Sequence, residues 1–408
     1  MIRIFTLLML TGSLSCYGKE NGHRELEPLG RGPHAVGSTN MAVAAEFRDL
    51  GDDAMHDILL GKRDPEGRYR FITEVLQHPE SAWIVEAPVP NQPAVYGPTA
   101  GTSLPVAAFV TWPARADQET SPYDFPYHGG QYGRFEDMLA PGESPVFADP
   151  EKKYPLIVLA HGNDAHGIFD IGHAQDLSRH GYIVAVPIYG DDRTRVAGLD
   201  NDHVAFLRPL LTRALVDSLL ESRTFGPHID ADNIGVSGHS FGGFTALAAA
   251  GGRFQGHSAT AVDPRVKAAV LAAPWVGHKR LIWDHFAFGR NNVELNRVTT
   301  PVLCAFGTAD TVTRSDFILP AMQQLSGPTY VVELVDQTHV FEGGSWEDRN
   351  AWELLFFNAY LKQDADALAS LKIGRSMNGG GVDLQLFDYQ KLPGNAQSET
   401  QHAGEFQP

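Results

Sequence analysis

Residues 233–243 read NIGVSGHSFGG, a mostly apolar run followed by a serine that has a glycine two residues away on each side. The run Asn233–Ser237 predicts a strand, and the small and apolar residues Phe244–Ala250 predict a helix. The segment between them matches the pattern G-x-S-x-G, in which the serine occupies a sharp turn from a strand into a helix. Glycines suit this turn because they carry no Cβ that could collide with it. The stretch therefore predicts a nucleophilic hydroxyl on Ser240, against the alternative of a glycine-rich turn that contains a serine by chance.

Strands and helices alternate on both sides of this stretch. Further strands are predicted at Leu156–Ala160, Ile183–Pro187, Val266–Ala272, Val302–Phe306 and Tyr330–Val335. Further helices are predicted at Ile168–His180 and Leu210–Glu221, around Pro320–Leu325, and at Trp352–Leu361. Continuous apolar strands separated by helices are typical of a parallel sheet that is covered on both faces. Two short runs, Ala82–Val85 and Val106–Thr111, predict antiparallel pairing at one edge. The predicted class is therefore α/β.

Four segments are expected along the chain. They are a signal peptide at 1–17, an N-terminal extension at 18–80, a catalytic domain at 81–373 and a C-terminal tail at 374–408. The extension begins with a polar, linker-like stretch at 18–35 and contains a helix-like stretch at Phe71–Gln77. The tail is rich in Gly, Asn and Gln and is expected to be mobile, apart from a short strand at Val382–Phe387.

The first residues resemble an export signal. Arg3 precedes the apolar run Ile4–Leu10, which is much shorter than the roughly 20 residues that span a bilayer, and small residues follow at Ser13 and Ser15. We therefore expect a secreted or periplasmic protein with no membrane span. Lipid anchoring through Cys16 is an alternative, although the residues before it make a poor lipidation signal. A buried N-terminal segment that stays in the protein is another.

The composition argues against nucleic-acid binding and gives no indication of a disulfide, a metal site or a cofactor. The 408 residues carry 49 acidic and 32 basic side chains, a net charge of -17, which repels nucleic-acid phosphates. The two cysteines are Cys16 and Cys304, so loss of the first leaves no disulfide, and Cys304 lies in an apolar run typical of a buried residue. No spacing of histidines and acids predicts a metal site, and no cofactor is expected. Nothing in the pattern indicates an oligomeric state.

A serine hydroxyl needs a base, and a base needs an acid that orients it. His339 follows the last predicted strand, where loops share the carboxyl edge of the sheet with Ser240. Asp310 follows the preceding strand, in the segment GTAD, and is the expected acid. Other histidines and acids fit the chain order or position less well; they are His278, His285, His402, Asp284 as the fallback acid, Asp316 and Asp336.

Two backbone N–H groups should bind the negative oxygen that forms when the serine attacks a carbonyl. The first is expected from Phe241, directly after the nucleophile, and the second from Asn163, in the loop after the strand Leu156–Ala160. His161 is interpreted as a structural residue of that loop. Trp275, after the strand Val266–Ala272, is expected either to contact substrate or to pack at the strand end.

The motifs HGN, GHSFGG, GTAD and THVF, in this order, resemble the α/β-hydrolase superfamily over about residues 83–372. Within it they are similar to the dienelactone hydrolase-like and platelet-activating-factor acetylhydrolase-like serine esterases. Dienelactone hydrolases proper use a cysteine where this chain has Ser240. The segment Ala273-Pro274-Trp275 also resembles cutinase-like polyester hydrolases, which usually carry a C-terminal disulfide that this chain lacks.

The resemblance implies an α/β-hydrolase fold and hydrolysis of a small or polymeric carboxylic ester through a Ser240–His339–Asp310 triad. The alternatives are a cutinase-like polyester hydrolase or lipase, a serine peptidase, and a non-catalytic binding protein of the same fold. Residues between Trp275 and Thr300 are too few for a large cap domain. Residues 112–153 are expected to form a surface excursion whose aromatic residues either pack on one another or line a cleft; they are Trp112, Tyr123, Phe125, Tyr127 and Tyr132.

Overall fold

The structure is a computed structural model. It describes residues 24–39, 83–117, 121–124, 134–140, 145–163, 165, 167–189, 201–254, 262–277, 288–342, 345–377 and 384–390. The predicted signal peptide and the helix-like stretch at Phe71–Gln77 lie outside these ranges.

Fourteen strands are present in the described residues. They are β1 Arg24–Leu26, β2 Ala35–Ser38, β3 Trp83–Pro88, β4 Ser103–Ala114, β5 Ser121–Asp124, β6 Arg134–Ala140, β7 Tyr154–Ala160, β8 Ile183–Ile188, β9 Ile229–His239, β10 Val266–Ala272, β11 Val302–Gly307, β12 Thr329–Leu334, β13 Gly374–Met377 and β14 Leu384–Gln390. Twelve of them form one sheet in the order β14-β12-β11-β10-β9-β7-β8-β4-β2-β6-β5, with β3 also paired to β4. The six neighbours from β12 to β8 all run parallel. The predicted α/β class with a mostly parallel sheet is confirmed.

Seven α-helices accompany the sheet in the described residues. They are α1 Pro93–Tyr96, α2 Ile171–Arg179, α3 Asn201–Glu221, α4 Phe241–Ala249, α5 Ser315–Met322, α6 Ser345–Leu361 and α7 Ala365–Ile373. Short 3-10 turns lie at Gly167–Asp170, Gly97–Thr99, Gly226–His228 and Arg290–Arg297. None of the helices in this part of the chain combines the length and hydropathy that a membrane span requires.

Helices cover both faces of the sheet, as two successive residues of β9 demonstrate. A Cβ on Gly235 would lie 2.8 Å from side-chain atoms of Phe357 and Leu361 on α6. The adjacent residue Ile234 packs in a buried cluster with Leu215 of α3. Because successive side chains of a strand point to opposite faces, α6 and α3 cover opposite sides. The parallel strands are consequently buried on both faces, which is why they are continuous apolar runs in the sequence.

The antiparallel pairing predicted at one edge is present, but it involves more of the chain than expected. β3 pairs with β4 from Trp83 opposite Ala108 to Pro88 opposite Ser103. The stretch expected to be a linker contributes β2, which lies between β4 and β6. It contributes β1 as well, which pairs with β13 outside the main sheet. At the other edge, β14 pairs antiparallel with β12 and overlaps the predicted strand Val382–Phe387. Sequence patterns missed these partners because short strands gain their stability from pairing across distant segments.

Residues 112–153 do not form only a surface excursion, and this expectation was wrong. The segment begins inside β4 and includes β5 and β6 of the main sheet. Trp112 is fully buried and packs against Phe147 and Phe225, so it lines no cleft. A Cβ on Gly37 of β2 would lie 2.3 Å from the Trp112 ring, so the glycine gives the indole its space. Of the other four aromatic residues named with it, Tyr123 lies in β5, and Phe125, Tyr127 and Tyr132 lie outside the described residues.

Candidate active site

Ser240 lies at the junction of β9 and α4 in a strained conformation. Its backbone angles are φ 55° and ψ -116°, a left-handed φ that non-glycine residues rarely adopt. The strain is held by hydrogen bonds on both sides, because the Ser240 N–H donates to Ala272 O at 2.8 Å and the Ser240 carbonyl accepts from Trp275 N–H at 2.9 Å. The residue is buried, with 9% of its surface exposed, and it lies at the carboxyl end of β9.

Two glycines make this turn possible, as the motif predicts. A Cβ on Gly242 would lie 1.9 Å from the carbonyl oxygen of Ala160, the last residue of β7. A Cβ on Gly238 would lie 2.3 Å from the backbone of Gly242. Both obstacles are backbone atoms that cannot rotate away. The first turn of α4 therefore approaches β7 closely only because these positions are glycine.

Asp310 and His339 form a hydrogen-bonded pair. The imidazole Nδ1 lies 2.8 Å from Asp310 Oδ2. The Asp310 carboxylate is fully buried, whereas 17% of the His339 side chain is exposed. With Nδ1 engaged by a carboxylate, the Nε2 of His339 is the nitrogen available to take a proton.

The loops that carry this pair pack tightly against each other. A Cβ on Gly307, at the end of β11, would lie 2.0 Å from the carbonyl oxygen of Gln337. That same carbonyl accepts the Ala309 N–H at 3.0 Å, and the Asp336 N–H donates to Thr308 Oγ1 at 2.8 Å. The glycine of GTAD thus lets the loop after β12 come close enough for His339 to reach the carboxylate.

Thr313 ties Asp310 to the loop after β10. Its hydroxyl lies 2.7 Å from Asp310 Oδ2, 3.1 Å from His339 Nδ1 and 2.9 Å from the carbonyl oxygen of Ala273, which follows β10. The backbone N–H groups of Val312 and Thr313 also donate to Asp310 Oδ1. Burial alone would raise the pKa of Asp310, but the hydrogen bonds from His339 and Thr313 hold it below its usual value. The acid is therefore ionised at neutral pH.

His239 links the end of β9, next to Ser240, to the loop that carries His339. Its Nε2 lies 2.6 Å from the carbonyl oxygen of His339, which can only accept, so Nε2 carries the proton. The two imidazole rings are 4.7 Å apart between centroids. Burial lowers the pKa of His239 to about 4, so this histidine is neutral at neutral pH. Ser240, Asp310 and His339 are thus gathered at one edge of the sheet by contacts between their neighbours.

The loop after β7 runs beside Ser240. A Cβ on Gly162 would lie 3.6 Å from Ser240 Cβ, and Asn163, the next residue, is exposed. His161 is 2% exposed, and its Nδ1 lies 2.8 Å from the Gly162 carbonyl oxygen. Its position inside the protein is that of a structural residue, in agreement with the sequence interpretation.

Trp275 is half-buried beside Ser240. Its ring centroid lies 5.4 Å from that of Phe244 and 6.1 Å from that of Phe241, both on α4. Together with its hydrogen bond to Ser240 O, these contacts fix the indole next to the serine, where it also fits the structural alternative of packing at a strand end.

Two of the competing acids lie in the described part of the chain. Asp316 is exposed and pairs with Arg314 at 2.9 Å, and Asp336 lies in a turn with φ 57°. Asp284 and the three competing histidines lie outside the described residues. Cys304 is buried in β11, and burial raises the pKa of its thiol, so it is a packed side chain and not a nucleophile. Within the described ranges, no group of histidine, cysteine and acidic residues has the arrangement of a metal site.

A scan against protein-family models and a search of the curated proteins each found no match to this chain.

Three polar residues of the site were missed from the sequence. Thr313 follows Asp310 by three residues, a spacing at which a threonine commonly bonds an aspartate in a turn. His239 occupies the variable position of G-x-S-x-G, so the motif gave it no role. Arg208 lies on α3 in the apolar stripe formed by Val204, Leu211 and Leu215. A charged residue in such a stripe could have indicated a hydrogen-bond partner inside the protein.

Removal of the Thr313 hydroxyl should weaken the acid–base pair. A hydrogen bond to a charged group is worth about 1.5–3 kcal/mol, so Thr313→Val is expected to lower kcat of the ester hydrolysis that the sequence predicts by about tenfold or more. The pKa of Asp310 should rise in the variant because a hydrogen bond to its ionised form is lost. Thr313→Ser retains the hydroxyl and is the control. Equal rates for the valine and serine variants would contradict the role given to this hydroxyl.

His239 should make the protein less stable in acid. Its pKa is about 4 in the folded protein, against an ordinary value of 6.5, so between these pH values the unfolded chain binds a proton that the folded chain does not. The free energy of unfolding should therefore fall as pH falls through this window. His239→Gln keeps an N–H donor for His339 O but does not titrate, so urea denaturation of the variant should show a smaller loss from pH 7 to pH 4.5. Parallel curves for the two proteins would rule out this contribution.

Proposed function

We propose that this protein is a serine carboxylic ester hydrolase of the α/β-hydrolase type. The observation that carries the proposal is the Asp310–His339 hydrogen bond at the sheet edge where Ser240 occupies a strained strand-to-helix turn. The order of nucleophile, acid and base along the chain, each after a parallel strand, agrees with this assignment. We further propose that residues 1–17 export the protein.

The reaction follows from these positions. Ser240 Oγ forms a bond to the ester carbonyl carbon while its proton passes to His339 Nε2, and the carbonyl electrons move to the oxygen. The N–H groups of Phe241 and Asn163 bind that negative oxygen. The intermediate collapses with cleavage of the bond to the alcohol oxygen, which takes the proton from His339. Water then attacks the acyl group by the same sequence and releases the carboxylic acid.

The environment of each group suits its step. Asp310 is ionised and hydrogen-bonded to Nδ1, so it can stabilise the imidazolium that forms when His339 accepts a proton. Phe241 is the first residue of α4, where the helix dipole favours negative charge. No step requires a metal or an organic cofactor, because every proton and electron pair is accounted for by the serine, the imidazole, the substrate and water.

Trp275 supplies a wall for the bound ester in this proposal. Its position against Phe241 and Phe244 beside Ser240 would place an aromatic face next to an acyl or aryl group. A p-nitrophenyl ester series from acetate to palmitate, with a feruloyl ester and a polyester film, separates the related activities. Release of products from the film would support the cutinase-like alternative, and hydrolysis of long chains would support a lipase. Cleavage of peptide anilides would support a peptidase instead.

Ser240→Ala should abolish esterase activity. Removal of the nucleophile in a triad typically costs on the order of 10⁴- to 10⁶-fold in kcat, so hydrolysis of p-nitrophenyl acetate should fall to near background. Ser326→Ala, an exposed serine at the opposite edge of the sheet, is the matched control and should keep the wild-type rate. Unchanged activity in Ser240→Ala would refute the proposal.

A further inference from the structure

Arg208 of α3 is fully buried behind the loop that follows β7. Buried arginines are rare because removing the guanidinium from water is costly unless its donors are satisfied. Here Nη1 donates to the carbonyl oxygen of His161 at 2.6 Å, and Nη2 lies 3.3 Å from the carbonyl oxygen of Gly162. One planar guanidinium therefore holds two consecutive peptide groups.

This contact determines where the Asn163 N–H points. The peptide group between Gly162 and Asn163 contains the Gly162 carbonyl and the Asn163 N–H. The described residues contain no cis peptide bond, so these two groups point in opposite directions. A carbonyl turned toward Arg208 consequently turns the N–H of Asn163 away from it. On its other side the loop lies next to Ser240, since a Cβ on Gly162 would lie 3.6 Å from the Cβ of Ser240.

His161 fixes the same peptide from a second direction. Its Nε2 accepts the Tyr189 N–H at 3.4 Å, which leaves the proton on Nδ1, and Nδ1 lies 2.8 Å from the Gly162 carbonyl oxygen. The Gly162 carbonyl thus receives donors from both His161 and Arg208.

The guanidinium also touches the residue that carries the other expected donor. Its central carbon lies 4.9 Å from the ring centroid of Phe241 and 5.0 Å from that of Tyr189, which is within the range of a cation–π contact. The Tyr189 hydroxyl lies 2.7 Å from Thr212 Oγ1, which donates to the Arg208 carbonyl one helical turn earlier. Arg208 is therefore held in place and in turn contacts both sides of the site at which the oxyanion would form.

We propose that Arg208 is a positioning residue that sets the oxyanion hole: it orients the Asn163 N–H through the Gly162 carbonyl, packs against Phe241, and places a positive charge behind the developing oxyanion. This inference rests on the proposed esterase function. Such an arrangement acts on the transition state more than on the bound ester, because the negative oxygen exists only after attack.

The test compares Arg208→Lys and Arg208→Met with the wild type in p-nitrophenyl acetate hydrolysis and in inhibitor binding. Arg208→Met should lower kcat/KM by about 100-fold, the size of effect seen when one oxyanion donor is lost. Arg208→Lys keeps the charge but not the planar fork, so its loss should be intermediate. The serine adds to the carbonyl of a trifluoromethyl ketone and forms an oxyanion. Each variant should therefore bind this inhibitor more weakly by the same factor as its loss in kcat/KM. Its methyl ketone analogue should bind within about twofold of the wild type, since it remains a ground-state ligand.

The matched control is Arg265, which pairs with Asp263 and Asp217 at the opposite edge of the sheet. Arg265→Met should lower the melting temperature but leave kcat/KM and both inhibitor affinities unchanged. If Arg208→Met does not fold, Tyr189→Leu removes one face of the guanidinium contact and should lower kcat/KM and trifluoromethyl ketone affinity several-fold together.

Three outcomes separate the possibilities. Proportional losses in rate and trifluoromethyl ketone affinity, with methyl ketone binding preserved, support the role of Arg208. Folded variants with wild-type rates, or with equal losses for both ketones, overturn it. A wild type that hydrolyses no ester overturns the proposed function itself, which is a distinct result.

Discussion

The close approach of α4 to the end of β7 is the constraint on which the site depends. With 1.9 Å between a Cβ position on Gly242 and the Ala160 carbonyl oxygen, no side chain fits there. A Cβ on Gly238, near the end of β9, would lie 2.3 Å from the Gly242 backbone and 2.7 Å from the same Ala160 oxygen. The approach forces Ser240 into a left-handed backbone conformation, and hydrogen bonds from β10 and its following loop hold it there. The strain in the serine is thus balanced by the packing of a helix on a parallel sheet.

The rest of the site is assembled by contacts between loops that follow neighbouring parallel strands. Gly307 admits the loop of His339 to that of Asp310, Thr313 connects Asp310 to Ala273 after β10, and His239 holds the backbone of His339. Thr313 and His239 each contribute a partly or fully buried polar group that is hydrogen-bonded to a neighbouring loop. Because an unpaired buried polar group costs about 1–3 kcal/mol, these hydrogen bonds favour a single arrangement of the loops.

Much of this arrangement could be predicted from the sequence. Apolar runs such as Leu156–Ala160 gave the parallel strands, since a strand buried on both faces must be apolar throughout. The positions of Asp310 and His339 followed from the rule that loops after parallel strands share one edge. The strands β2 and β5 were not predictable, because residues 35–38 and 121–124 are very short. β2 gains its place only from β4 and β6, which are far away in the chain, and β5 gains its place from β6 at the margin of the sheet. Trp112 was misassigned for a similar reason. It lies between the predicted strand Val106–Thr111 and Pro113 and was grouped with the Pro- and Gly-rich segment that follows, but its indole fills space that Gly37 leaves in β2. Arg208 shows a further limit, since a motif search finds the atoms that react and not the buried cation that orients them.

The most direct test of the central claim is covalent labelling of the intact protein with a fluorophosphonate, followed by peptide mapping. An activated serine in an oxyanion-binding site reacts with such a probe, whereas ordinary serines do not. We predict one adduct per chain, located on the peptide that contains Ser240, with labelling abolished in Ser240→Ala and slowed in Thr313→Val. An unlabelled wild type, or an adduct on a different residue, would contradict the assignment of Ser240 as the nucleophile.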